Sequence, residues 1–227
     1  MDHSEEERIK KYYAWREQNV QIWKNINLAS LLICQQLEYK IVKFLNKTNL
    51  DLKKSKILDI GCGKGWYLRE FVQYGMLPKN CFGIDLINQR ISEAQQLSPN
   101  MNFVCGNAEK IEFPDESFDL VSQFTCFSSI LDMEMRKNIA IEIKRVLKPK
   151  GWIIWYDMNG NLKRDNYQGI SIVGIKKLFS LGDGSFHKVT LHGRLAEILL
   201  KFCPAVAALI QEMKIFNNCV LAFIQKQ

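Results

Sequence analysis

The chain has 227 residues, 47% of them hydrophobic and 24% charged, and its 31 Lys and Arg against 24 Asp and Glu give a net charge of +7. This ordinary globular balance excludes a disordered or fibrous chain and fits one domain with appendages. The seven scattered cysteines contain no C-x-x-C pair, so neither a zinc ribbon nor a thioredoxin-like centre is expected. The start, Met1 to Arg8, is polar and acidic rather than a secretion signal, and no run of about 18 apolar residues is free of charge. The sequence therefore predicts no membrane span and a reducing, cytoplasmic setting. Basic residues are spread along the chain, so nucleic acid is not an expected partner.

Residues 5–46 read as helical. Leu28, Leu31, Leu32, Leu37, Ile41, Phe44 and Leu45 recur at near-helical spacing until Asn46 to Asn49 breaks the pattern. From residue 56 short apolar runs alternate with amphipathic stretches. Strands are expected at 57–60, 81–85, 102–105, 118–122 and 152–156, with helices at 66–74, 89–97 and 132–147. Apolar strands of four or five residues separated by helices imply an α/β architecture, a doubly wound and mostly parallel sheet buried on both faces. After Asp157 the pattern loosens. Residues 159–168 read as a long loop, 170–180 as a helix, and 186–191 and 219–224 as two more strands. Between those strands 193–214 reads as helical, with a bend at Pro204. Residues 1–50 form an N-terminal helical extension in this reading, and 51–227 the main domain.

The sharpest feature is the run Ile57-Leu-Asp-Ile-Gly-Cys-Gly-Lys-Gly-Trp66, a strand, three glycines and the start of a helix. Glycines there let the backbone turn tightly and approach a ligand without a Cβ in the way. A dinucleotide fingerprint would need glycine at 66, where Trp66 stands, and no nucleoside triphosphate loop is present. What remains is D-x-G-x-G. Asp59 ends the first strand, where a carboxylate suits a cationic or amine-bearing ligand better than a pyrophosphate. Asp85 ends the second strand 20 residues beyond Gly65, a position from which an acidic group can accept hydrogen bonds from ribose hydroxyls. The third strand ends in Cys105-Gly-Asn-Ala108, which can reach an adenine edge with Asn107.

Together with Gly83-Ile-Asp-Leu86, Ser117-Phe-Asp-Leu-Val121 and Arg145-Val-Leu-Lys-Pro-Lys-Gly151, these segments make the chain resemble the S-adenosylmethionine-dependent methyltransferases of the Rossmann-like class I. The resemblance covers residues 55–157. A fainter likeness of 116–157 and the tail is to small methyltransferases of polysaccharide or natural-product pathways. The class implies a seven-stranded, mostly parallel sheet with its last strand antiparallel. It also implies that Asp59, Gly61, Cys62 and Gly63 hold the methionine end of S-adenosylmethionine and that Asp85, with Leu86, takes the ribose. Asn107 and Ala108 would meet adenine, and Gln123 would lie beside the transferring methyl group. Tyr13 and Arg16, in the Tyr12-Tyr-Ala-Trp-Arg16 cluster, would fold over the cofactor as a lid.

A sulfonium methyl is already activated, so much of the catalysis can be positioning and exclusion of water, and a base is needed only if the acceptor must lose a proton early. Asp157, after the fifth strand, is the candidate base; Tyr156, His187 and His192 are weaker ones. The acceptor pocket is expected between the N-terminal helices, the loop Met158 to Gln168 and the region Phe186 to Arg194. Trp66, Phe124, Phe127, Trp155 and Tyr156 would form its walls, and Ser128, Asn159, Asn161, Arg164 and Asn166 its polar contacts. The expected reaction is methylation of oxygen or nitrogen on a small molecule, glycan or peptide, by a monomer or homodimer without a metal. An RNA or protein methyltransferase, or a non-catalytic binder of the cofactor, are the alternatives. Cys62, Cys105 and Cys126 follow three different strands, and if they converged they could hold a soft metal or metalloid.

Overall fold

The computed structural model describes residues 3–19, 28–160, 163–180, 184–192, 195–196, 198–199, 206–207, 209–210 and 213–227. Seven strands form one sheet: β1 (Ile57–Ile60), β2 (Cys81–Asp85), β3 (Asn102–Cys105), β4 (Phe118–Phe124), β5 (Leu147–Met158), β8 (Gly184–Leu191) and β9 (Asn217–Gln225). Their order is β3-β2-β1-β4-β5-β9-β8. β1 to β5 pair in parallel, whereas β9 runs antiparallel to both β5 and β8. The expected doubly wound sheet is present, with its strand order reversing beside β1, where such sheets bind ligands at the carboxyl ends of the strands.

Strand alternation divides the core into two layers. Leu58, Ile60, Val121, Ile153 and Trp155 belong to the layer shared with α5 (Met133–Val146) and α6 (Ile172–Phe179). Ile57, Leu120, Ile154 and Tyr156 belong to the opposite layer, with α2 (Leu28–Leu45), α3 (Trp66–Gln73) and α4 (Asn88–Leu97). Local chemistry fixes the helix starts. Asp132 caps α5 by accepting from the N–H groups of Glu134 and Met135, and Ser171 caps α6 by accepting from Gly174 N–H. α3 instead starts directly from Gly65 in a left-handed conformation with no side-chain cap.

Three expectations change. The helical reading of 5–46 resolves into α1 (His3–Asn19) and α2, with residues 20–27 outside the described residues. The expected loop 159–168 contains a hairpin, β6 (Lys163–Arg164) against β7 (Tyr167–Gln168). Two residues per strand are too few for period-2 alternation to register in a sequence. β5 begins at Leu147 rather than 152, because Lys148 to Gly151 continue the strand. Most of the 193–214 helix, with Pro204, lies outside the described residues.

Gly83 on β2 has a specific packing reason. A Cβ there would lie 2.6 Å from Cys62 Sγ and 3.0 Å from Phe103 Cδ1. Gly83→Ala is therefore expected to cost about 1–3 kcal/mol through overpacking. That is a loss of about 2–4 °C in Tm per kcal/mol, readable by thermal unfolding, with Cys62→Ala in the same chain restoring part of it. An unchanged Tm for Gly83→Ala would remove this packing account.

Candidate active site

The glycine loop turns on three left-handed glycines at alternate positions, with φ of +67° at Gly61, +54° at Gly63 and +75° at Gly65. Two of them matter for distinct reasons. A Cβ at Gly61 would lie 2.6 Å from Cys126 Sγ, so the loop and the segment after β4 approach as closely as a hydrogen atom permits. At Gly63 a Cβ would meet nothing within 4 Å, so an open cradle lies over the loop. Its conformation is held from the neighbouring strand. Gly61 and Cys62 N–H both donate to Ile84 O, and Gly63 N–H donates to Asp85 Oδ2 at 2.8 Å. The second oxygen of Asp85 accepts from Ile87 N–H at 2.9 Å and sets the turn into α4.

Beside Asp85 opens a cleft of about 350 Å³. Leu86, Ile87, Asn88 and Gln89 line one wall, Cys105 another, and Lys10, Ala14 and Glu17 of α1 close it over. α1 is anchored across this edge of the sheet by bonds to several segments. Glu5 accepts from Leu131 N–H at 2.6 Å, and Arg8 donates to Ser129 O at 2.6 Å. Tyr13 shares a hydrogen bond with Ser129 Oγ at 2.8 Å, and Arg90 donates to Glu17 at 2.8 Å while its guanidinium covers the Tyr13 ring at 4.1 Å. Arg16 also faces that ring, at 5.8 Å. Burial raises the Glu5 pKa, but Arg8 and the Leu131 N–H outweigh it and hold the carboxyl below its ordinary value.

Buried carboxylates crowd this edge. Asp59 is almost wholly buried, accepts from Ser122 Oγ at 2.7 Å, and burial pushes its pKa up to about 7, with Asp85 adding to the rise. Burial also raises Asp85, against the lowering effect of its two backbone donors. Asp157 is fully buried and pushed up to about 6 by desolvation. Its oxygens accept from Ser128 N–H at 3.0 Å and from Met158 N–H at 2.8 Å.

Several side chains singled out in the sequence stand elsewhere than expected. Asn107 donates to Glu6 at 2.7 Å and to Glu109 at 3.0 Å, and its oxygen accepts from Glu109 N–H. Its amide thus ties α1 to the end of β3. Ala108 is half-buried against the core. Gln123 is fully buried; its oxygen accepts from Cys126 N–H at 3.0 Å and its amide donates to Tyr156 O at 3.3 Å, which shapes the turn after β4. Phe127 is buried against Trp155, with ring centroids 4.6 Å apart, in the α5–α6 layer. Tyr156 lies in the opposite layer and shares a hydrogen bond with Thr190 at 2.7 Å. Phe127 and Tyr156 therefore belong to the two core layers instead of forming one acceptor wall. Phe124 stacks on Tyr67 at 3.5 Å, and Trp66 is exposed. Asn159 binds Asn218 O through its backbone N–H. The side chain of Arg164, and Asn161 and Arg194 altogether, lie outside the described residues. The three thiols do not converge: Cys62 Sγ turns under Gly83, Cys126 Sγ sits against Gly61, and Cys105 is exposed. Among the described residues no group of three or more His, Cys, Asp or Glu could hold a metal ion.

Reading from sequence missed Glu5, Arg8, Ser129 and Arg90. Glu5 and Leu131 are 126 positions apart, and α1 carries no periodic signal aimed at a partner. The one available cue was the acidic first turn of α1.

Residues 58–155 match the family described as a methyltransferase domain. Among curated proteins, the chain is 35% identical over 137 residues to a sterol 24-C-methyltransferase of Aspergillus fumigatus, covering 57% of this chain and 34% of that protein. It is 32% identical over 117 residues to a phthiotriol/phenolphthiotriol dimycocerosates methyltransferase of Mycobacterium tuberculosis, covering 50% of this chain and 42% of that protein. The chain thus spans well under half the length of these relatives. The fold is shared with a SAM-dependent methyltransferase from Archaeoglobus fulgidus at a TM-score of 0.63 and 15% identity, covering 95% of this chain and 99% of that one. Residues 58–155 thus match a methyltransferase domain, and the sheet as a whole has the fold of a SAM-dependent methyltransferase.

Proposed function

We propose that this chain binds S-adenosylmethionine at the carboxyl edge of β1 to β3 and passes its methyl group to an apolar small molecule. The residues fit that cofactor on three counts. The cradle over Gly63 is open, Asp85 adjoins a cleft of about 350 Å³, and Asp59 and Asp85 form a desolvated acidic pair. When bound, the cofactor supplies a methyl group activated by sulfonium charge. A cation beside buried carboxylates offsets the cost of ionising them, whereas a pyrophosphate would add to it. The carrying observation is the position of Asp85. It is tied to Gly63 N–H, its chain neighbour Leu86 and its strand partner Cys105 line the cleft, and each of its oxygens keeps lone-pair capacity for ribose hydroxyls.

In this reading Asp59 and the loop of Gly61, Cys62 and Gly63 face the methionine end, and Leu86 forms a wall of the adenosine cleft. Asn107 acts by holding α1 over that cleft, with Tyr13 and Arg16 in the lid. Gln123 and Asp157 shape the segment Cys126 to Ser128 beside the methyl group. Asp157 is thus a positioning residue, because both of its oxygens accept backbone N–H groups.

An apolar acceptor is favoured over the sugar or peptide that the sequence also allowed. The two relatives are named for a sterol and for phthiotriol/phenolphthiotriol dimycocerosates, and Met213, Ile215 and Phe216 are exposed just before β9. The six described cysteines are free thiols, which suits a reducing compartment.

Titration calorimetry tests the central reading. S-adenosylmethionine should bind, and Asp85→Ala should weaken it about 10–150-fold, from the loss of charge-assisted hydrogen bonds worth about 1.5–3 kcal/mol. Asp85→Asn, which keeps the side-chain shape, should also bind less tightly, and wild-type affinity in both variants would remove the ribose role. Asp59 has its own signature in stability. Its folded pKa of about 7 lies above the ordinary 3.8. Its contribution is therefore greatest at low pH and is lost as pH rises through that window. Asp157 shares only the part of that window below about 6. Asp59→Asn should flatten the fall in Tm between pH 6 and 7, and an unaltered slope there would contradict the burial of this carboxyl. For Asp157→Asn, a lower kcat with the pH–rate profile unmoved is the expected pattern; a lost acid limb would make Asp157 the base instead.

A further inference from the structure

α2 and α3 pack in one core layer, and a groove of about 70 Å³ lies between them. Cys34 and Glu38 meet it from α2, and Trp66, Tyr67, Glu70 and Tyr74 from α3. Buried Leu37, Ile41 and Phe71 make its floor apolar. At about 30 Å³ per water molecule, the space suits a small head group and not a whole nucleoside. The groove shares no residue with the cleft beside Asp85.

The polar groups of the groove are unanswered. Glu38 is exposed and Glu70 half-buried, and among the described residues neither forms an ion pair, in a chain with 31 Lys and Arg. Lys40, two positions after Glu38, does not share its face of α2. Arg69, next to Glu70, donates instead to Lys64 O at 2.8 Å and to Ser98 Oγ at 3.4 Å. Burial raises the Glu70 pKa and Glu38 adds to the rise, with Arg69 offsetting part of it. Tyr67 is the third such group. Its ring stacks on Phe124, at the end of β4, with centroids 3.5 Å apart. Burial raises its pKa, and Cys34 and Glu70 contribute from the groove. Its hydroxyl makes no hydrogen bond among the described residues. A deeply set hydroxyl without a partner is costly.

Unpaired carboxylates beside aromatic rings hold organic cations: the carboxylates accept charged N–H groups, and the ring faces attract the charge itself. Glu38 and Glu70 would repel an anion, and a neutral alcohol or hydrocarbon would leave both of them unpaired. We propose that the groove between α2 and α3 binds an organic ammonium group, with Glu38 and Glu70 pairing its charge, Trp66 and Tyr74 flanking it and the Tyr67 oxygen accepting one N–H. Through Tyr67 and Phe124 the occupant stands one ring away from the end of β4, the strand that leads to the methyl-transfer segment of the reading above. The site goes beyond that reading and does not depend on it, because occupancy is measured without cofactor or reaction.

The test is titration of n-butylammonium chloride into the full chain, followed by proton–nitrogen correlation NMR. Saturable shifts are expected on α2, on α3 and at the Trp66 indole, while n-butanol and butyrate at the same concentrations leave those signals in place. Glu38→Gln with Glu70→Gln should raise the Kd about tenfold or more, through loss of charge-assisted hydrogen bonds. Tyr67→Phe should raise it about 2–10-fold, the worth of one hydrogen bond, yet leave tetramethylammonium, which has no N–H, held as before. The glutamate double variant relieves a repulsion, so it should keep the wild-type Tm. It should also keep the affinity for S-adenosylmethionine read by calorimetry, which separates failure of the groove from failure of the cofactor site. Three results would each overturn the proposal: no saturable shift in the folded chain, n-butanol moving the same signals as strongly, or the glutamate double variant binding n-butylammonium like wild type.

Discussion

The hydrogen bond from Gly63 N–H to Asp85 is the constraint on which the site depends. It joins the loop after β1 to the end of β2, two segments that the parallel register of Ile57–Ile60 with Cys81–Ile84 already holds side by side. The glycine loop needs such an external hold. Its three left-handed residues lose more chain entropy on ordering than any others would, and α3 begins from Gly65 without a side-chain cap. Asp85 supplies the missing partner and, through Ile87 N–H, also starts α4. One carboxylate therefore sets both the floor of the cradle and a wall of the cleft.

That arrangement concentrates negative charge where water is scarce. Asp59, Asp85 and Asp157 all have raised pKa values, and burial is the leading cause in each. Arginine offsets part of this charge, since Arg90 and Arg136 act on Asp85 and Asp157 respectively, but for Asp59 the largest stabilising effect is the Ser122 hydroxyl.

Much of the sheet was legible because β1, β2 and β3 are short, mainly apolar runs with a single strongly polar residue each, Asp59, Asp85 and Asn102, and buried parallel strands have little other way to be written. Asp85 was legible from its distance to the loop. The aromatic walls were not. Trp155 and Tyr156 are neighbours in sequence, yet strand alternation sends them into opposite core layers, and Phe127, in the turn after β4, packs in the layer opposite Phe124. Counting in twos along β5 would have separated them. The bond that Asn107 makes to α1 was hidden for another reason. Its partner Glu6 lies 101 positions away on α1, and no local pattern in either segment advertises the pairing.

The anchoring of α1 carries a consequence for timing. Lys10, Ala14 and Glu17 form the outer wall of the cleft, and Glu5, Arg8, Tyr13 and Glu17 bind partners after β4 and on α4. On the proposed function, a nucleoside lodged under that helix would leave only as often as those bonds release together. Helix unlatching would then set a ceiling on turnover that faster chemistry at the sulfur could not raise, and spent cofactor would linger as an inhibitor in proportion to the strength of the latch.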